Sequence, residues 1–213
     1  MERPQLYGTP LSHFTRKIRI LLAELGVAFD FVRIPGVLAT SAVAFGDNPL
    51  MRVPTLVHGG EVVIESDHIA RYLVGAYDPE DRLGVCCERV GDLNRLAVAN
   101  GIMDNEVSLI LAKRGGLADL DGVAYFRKLK MAIETGLAWL DRRTAPDDEG
   151  FDYRDVVLIC MWQHLLHYEL VPRLEEHRRI AARVARFSGR ASVAGTTPEA
   201  SLAEAAAAGW RPA

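Results

Sequence analysis

Cysteine is scarce: the chain has three in 213 residues, and two of them, Cys86 and Cys87, are adjacent. So few thiols build no disulfide framework, and a reduced, cytoplasmic setting is the expectation. Long apolar runs are absent; none approaches the roughly 18 residues that span a membrane. Met1-Glu2-Arg3-Pro4 lacks the charged and apolar regions of a signal peptide. An excess of one charge is also lacking. The formal net charge is -3, which argues against wholesale nucleic-acid binding. No P-loop is present, and no Gly-x-Gly-x-x-Gly follows a strand. No Cys-x-x-Cys occurs, which argues against chemistry that needs a thiolate on the protein.

What remains is ordinary globular material, 49% apolar and 25% charged, long enough for one large domain or two small ones. Residues 4–8 read as a strand. Residues 12–25 read as a basic amphipathic helix, with Ile18, Leu21, Leu22 and Leu25 at helical spacing and Gly26 at its stop. A strand is expected over Val27–Ile34 and a short irregular helix over 37–48. Thr55–His58 and Val62–Ile64 pair through Gly59-Gly60 as a tight hairpin, and Ser66–Tyr77 is a helix. After the polar link Asp78-Pro79-Glu80-Asp81 everything reads as helix: Glu88–Arg114, Asp121–Thr144, Tyr153–Glu169 and Leu174–Phe187. An Ala-rich tail, 203–208, forms a last turn or frays. The division expected is a mixed α/β domain over 1–78, a linker over 79–87 and an all-helical domain over 88–213.

Three segments of the first 70 residues offer polar groups suited to an anion. Ser12 opens the first helix after Leu6-Tyr7-Gly8-Thr9-Pro10-Leu11. Arg52-Val53-Pro54-Thr55 precedes a strand. Glu65-Ser66-Asp67 opens another helix. Taken locally, Ser12 and the Glu65-Ser66 pair are plain helix caps, and Pro54 is a proline at a strand's first residue.

In order and spacing these segments resemble those of the glutathione S-transferases. Leu6-Tyr7 through Arg16-Lys17-Ile18-Arg19 is similar to that family's first strand, catalytic loop and first helix. Asn48-Pro49 through Val53-Pro54-Thr55-Leu56 is similar to its Asn-Pro…Val-Pro-x-Leu segment, and Glu65-Ser66 to its acidic-Ser pair. Gly101-Ile102-Met103-Asp104 resembles a segment of one bacterial group, Phe151 to Asp155 the family's capping and staple motif, and Arg190 to Val193 with Thr197-Pro198 its usual C-terminal segment. The resemblance, to a bacterial, serine-type cytosolic member, implies a thioredoxin-like N-terminal domain, an all-α C-terminal domain, a homodimer, and glutathione as co-substrate.

It also implies roles. Ser12 would be catalytic, with Tyr7 and Thr9 as rival hydroxyls. Ser12, Phe14, Arg52, Val53, Pro54, Glu65 and Ser66 would line the glutathione site. Pro54 would follow a cis bond that presents the Val53 backbone to the cysteinyl unit, Ser66 would hold the γ-glutamyl carboxylate and Glu65 its ammonium. Arg52 reads equally as a solvated residue. Ionising a thiol near pKa 8.5 at neutral pH needs about 2–3 kcal/mol. A hydroxyl donor to a charged acceptor supplies about 1.5–3 kcal/mol and a helix N-terminus about 0.3–1 kcal/mol, so Ser12 suffices. His13 stands where many members have Pro, and is read as a solvated first-turn residue in preference to a group that biases the site electrostatically.

In the second half Asp152, Asp155 and Phe151 read as capping box and staple, a folding device. Met103 and Asp104 lie on the helix that in the family faces the second substrate, with packing as the default. Cys160, His164 and His167 share a helix face, but no distant ligand matches them. The face is read as buried and locally satisfied, and no metal site is expected. Arg173–Arg190 is read as an amphipathic surface helix. The resulting expectation is a transferase acting on a small electrophile, without nucleic acid or membrane. A glutathione-dependent isomerase or dehalogenase, or a non-catalytic binding protein, is the alternative.

Overall fold

A computed structural model describes residues 2–210. Contacts group them into two compact units. One runs to Cys86 and resumes at Ser188; the other is Cys87–Phe187. The first carries a mixed sheet with helices, and the second is helical, as the fold class expected.

In the first unit β1 (Gln5–Gly8), α1 (His13–Glu24), β2 (Asp30–Arg33), β3 (Thr55–His58), β4 (Glu61–Ile64) and α2 (Ser66–Tyr77) follow one another. The sheet order is β2-β1-β3-β4. β2 runs parallel to β1, while β1–β3 and β3–β4 are antiparallel. Gly59 and Gly60 close the last hairpin with φ of 60° and 82°, the conformation a two-residue turn requires. The strand expected over Val27–Ile34 is shorter, because its partner sets the register. The Pro4 carbonyl accepts the Asp30 N–H at 2.8 Å, Pro4 has no N–H to return, and pairing begins with Gln5 opposite Asp30. The helix expected over 37–48 is a single 3-10 turn, Ala42–Phe45. Gly46 and Asp47, at φ of 66° and 62°, end it at once.

The second unit contains α3 (Val90–Arg114), α4 (Ala124–Asp141), α5 (Tyr153–Tyr168) and α6 (Arg178–Phe187). α5 is its core helix: 11 of its residues are buried, and they surround it rather than line one face, as an apolar run such as Val156-Val157-Leu158-Ile159 demands. Its start is a complete capping box. Asp152 accepts from the Arg154 and Asp155 amides while Asp155 reaches back to the Asp152 amide. Phe151 packs on Phe187, ring centroids 5.0 Å apart. His164 on α5 is indeed buried, but its partner is remote in sequence: Nδ1 meets Glu106 Oε1 of α3 at 2.6 Å. Burial pushes the Glu106 carboxyl above its ordinary range, against the opposing pull of His164.

The helix expected over Leu174–Phe187 divides into a 3-10 turn, Leu174–Glu176, and α6. Asp141, at the end of α4, accepts the Arg179 and Ile180 amides at 2.9 and 3.0 Å, so a carboxylate from another helix sets where α6 begins. The expected surface helix is also partly interior. Arg183 is 5% exposed and grips Asp155 with two bonds of 2.7 Å.

The tail forms α7 (Ala191–Ala194) and α8 (Pro198–Ala207). Thr197 caps α8, accepting from the Ala200 amide, with Pro198 at its first position, a start signal legible in the sequence. The tail groups with the sheet unit although it follows the helical unit in the chain. The reason lies in α1, whose Arg16, Lys17 and Arg19 are buried rather than solvated. Arg16 donates to Thr196 Oγ1 at 3.3 Å and to the Val193 carbonyl at 3.2 Å. Arg19 donates to Ser201 at 3.0 Å and pairs with Glu204. Buried guanidinium groups need such acceptors, and the tail supplies them. Among the described residues no helix is long and apolar enough to cross a membrane.

Candidate functional site

Strand register assembles the site. Tyr7 lies opposite Thr55, and Thr55 opposite Ile64. The chain leaving β1 toward Ser12, the residues entering β3 at Val53-Pro54, and the residues leaving β4 at Glu65-Ser66 therefore emerge at the same end of the sheet. Segments some fifty residues apart become neighbours because two antiparallel pairings align their ends.

Ser12 caps α1. Its φ and ψ are -65° and 114°, and its Oγ accepts the Thr15 amide at 3.1 Å. A serine hydroxyl holds two lone pairs and one proton, so capping occupies an acceptor and leaves the O–H to donate. Thr9 forms the turn before it, its carbonyl accepting the Ser12 amide at 3.3 Å. Gly8 permits the tight passage from β1 to α1, since a Cβ there would lie 2.3 Å from Thr15 Cγ2. Tyr7 is half-buried with its ring against Gly46, where an added Cβ would stand 2.8 Å from the ring. His13 corrects the sequence reading. It is 2% exposed, not solvated, and its ring packs on Phe14 with centroids 4.6 Å apart.

The Val53-Pro54 peptide is cis. The loop carrying it is built around Asn48, which is 2% exposed. Asn48 Nδ2 donates to the Arg52 carbonyl at 3.0 Å and to Thr55 Oγ1 at 3.2 Å, and its Oδ1 accepts the Leu50 amide at 2.9 Å. These bonds hold the Arg52 backbone, while the Arg52 side chain is exposed.

Glu65 stands at φ 68° and ψ 125°, a conformation that a residue with a Cβ rarely adopts. Such backbone costs about 1–3 kcal/mol and persists where surroundings enforce it. The Glu65 side chain is exposed and makes no cap bond to α2. Ser66 follows at the first helical position, 5% exposed. Its Oγ accepts from Lys17 Nζ at 2.9 Å, and Lys17 also pairs with Asp67 at 2.6 Å. The start of α2 thus combines a helix N-terminus, a strained acidic residue and a buried hydroxyl, an arrangement suited to a carboxylate beside an ammonium. A Glu65→Gly variant is expected to melt higher, by about 1 kcal/mol of released strain, while losing affinity for a γ-glutamyl ligand. Unchanged affinity in calorimetry would remove Glu65 from the site.

Two residues of this region escaped the sequence reading. Asn48 stood inside a recognised segment without a role. Lys17 stood in the basic run of the first helix without a role, and nothing local marks it as interior.

A four-stranded mixed sheet with helices and a cis-proline entering its third strand defines a thioredoxin-like domain. Residues 6–81 match the profile described as Glutathione S-transferase, N-terminal domain. Glutathione S-transferase 3 of Zea mays is 39% identical over 80 residues, covering 36% of this chain and 35% of that protein. The uncharacterised GST-like protein YibF of Escherichia coli K12 is 39% identical over 106 residues, 47% of this chain and 50% of that protein. The chain thus aligns with only a third to a half of these curated relatives. A glutathione S-transferase structure from Methylobacterium radiotolerans, in complex with glutathione sulfonate, superposes with a TM-score of 0.76 at 25% identity. That match covers 92% of this chain and 95% of that one. Residues 6–81 thus match a glutathione S-transferase N-terminal domain, and the chain shares the fold of solved glutathione S-transferases.

Proposed function

We propose that this chain is a glutathione transferase, with Ser12 activating the thiol. The observation that carries the reading is the meeting, at one end of the sheet, of the Ser12 cap, the cis Val53-Pro54 peptide and the strained Glu65-Ser66 helix start. The Methylobacterium radiotolerans relative was solved with glutathione sulfonate, which supports glutathione as this chain's co-substrate.

In this mechanism the cysteinyl unit of glutathione pairs with the Val53 backbone, and its γ-glutamyl end sits on Glu65 and Ser66. The thiol proton leaves to solvent, and the Ser12 O–H donates to the sulfur anion that remains. The thiolate then attacks the electrophile, forming a thioether and releasing the leaving group. Phe14 walls the sulfur side, and Arg52 reaches the glycyl carboxylate. Detoxification of a small electrophile by a cytoplasmic homodimer completes the reading, resting on the family resemblance.

Retention on immobilised glutathione together with turnover of an aromatic halide tests it. Both are expected. Binding without halide turnover, but with isomerisation or dehalogenation of another substrate, would move the function to that chemistry. Binding with no turnover at all would make it a binding protein, and failure to bind would sink the glutathione reading altogether.

A further inference from the structure

We propose that Lys17 is a positioning residue for recognition of the γ-glutamyl carboxylate, acting through Ser66; the inference rests on the glutathione reading above. Lys17 is 0% exposed, an unusual place for an ammonium group unless it is held. Its Nζ donates to Ser66 Oγ at 2.9 Å and to Asp67 Oδ1 at 2.6 Å, and lies 5.4 Å from the centroid of the Phe14 ring. It therefore ties α1, which starts at Ser12's cap, to the first turn of α2.

The bond to Ser66 has a directional consequence. Lysine has donors and no acceptor, so the Ser66 oxygen must accept from it. One lone pair is then committed, and the Ser66 proton is turned away from Lys17 and available to an incoming carboxylate. A lone serine at this position would be free to rotate its proton elsewhere. The ammonium, paired with the partly exposed Asp67, also lies beside the positive end of α2. Lys17 thus organises the donor and favours the anion without needing to touch it. Arginine would not substitute well, because a planar fork in this closed space cannot reproduce a compact point donor.

The test uses two tripeptides on the whole protein: glutathione, and 4-aminobutyryl-cysteinylglycine, which lacks only the α-carboxylate. Calorimetry should show Lys17→Met binding glutathione about tenfold more weakly, with affinity for the truncated peptide unchanged. Turnover at saturating glutathione should be preserved, so that KM rises while kcat does not. In a Ser66→Ala background the same substitution should add little, since the effect passes through Ser66. Should Lys17→Met fail to fold, Lys17→Gln retains an N–H donor and should show a smaller, equally carboxylate-selective loss. Equal weakening of both peptides would reduce Lys17 to a structural role and overturn the proposal. So would undiminished glutathione binding by the variant, or a wild type that binds both peptides alike. A wild type that binds neither peptide would instead overturn the glutathione reading and this inference with it.

Discussion

Replacing Ser12 with alanine or glycine is expected to lower glutathione-conjugating turnover about 10- to 100-fold, with glutathione still bound. The magnitude is that of one hydroxyl donor to a charged sulfur, about 1.5–3 kcal/mol. Two substitutions are needed because Ser12 has two tasks. Its Oγ accepts from the Thr15 amide, and alanine at such a cap costs about 0.5–2 kcal/mol of stability while glycine costs only a few tenths. If the hydroxyl activates sulfur, the two variants lose turnover equally although alanine melts lower. The rate should also recover at high pH, because an unassisted thiol ionises near pKa 8.5. A rate equal to wild type in the glycine variant would transfer the role to Tyr7 or Thr9. Thr9 lies in the turn leading to Ser12, whereas Tyr7 points its ring at Gly46.

The second large effect falls on stability. Arg183→Ala or Asp155→Ala should each cost about 3–5 kcal/mol, the loss expected when one member of a buried ion pair is left alone. Against a total of about 5–15 kcal/mol this approaches unfolding. Both members are at most 5% exposed. Asp155 is also the third residue of the α5 capping box, so its loss frees the Asp152 amide as well. Burial pushes the Asp155 carboxyl upward, with Arg183 pulling against it. Arg183 further donates to the Asp148 and Gly150 carbonyls, holding the loop before α5. Lysine should not rescue, because a point charge cannot bond both carboxylate oxygens and two carbonyls at once. Chemical denaturation with a double-mutant cycle measures the effect. Additive losses would show that Arg183 and Asp155 act separately, contrary to their geometry.

Much of this was legible in the chain, for local reasons. The α1 cap, the Gly59-Gly60 hairpin, the α2 start and the capping box at Asp152 all depend on residues within a few positions of one another. Expectations failed where a distant partner decides. β2 is short because Pro4 begins the pairing. α6 starts at Arg178 because Asp141 caps it from α4. Arg183 is interior because Asp155 receives it, and His13 is buried where a first-turn residue was expected to meet water. Lys17 could not be singled out, since a lysine destined for Ser66 and one destined for solvent read alike.

The sequence by itself determined which local devices exist: the hydroxyl at the first helix start, the proline before the third strand, the acidic-Ser pair and the family they resemble. Tertiary structure alone decided that these devices face one another, through the Tyr7–Thr55–Ile64 register, and which charges go inside. Register is set by which face of each strand is buried and by turn geometry, and for strands distant in sequence that is settled only when they meet. Burial of a cation is tolerable only once acceptors arrive, here from Ser66, Asp67 and the tail, 49 to 185 residues away.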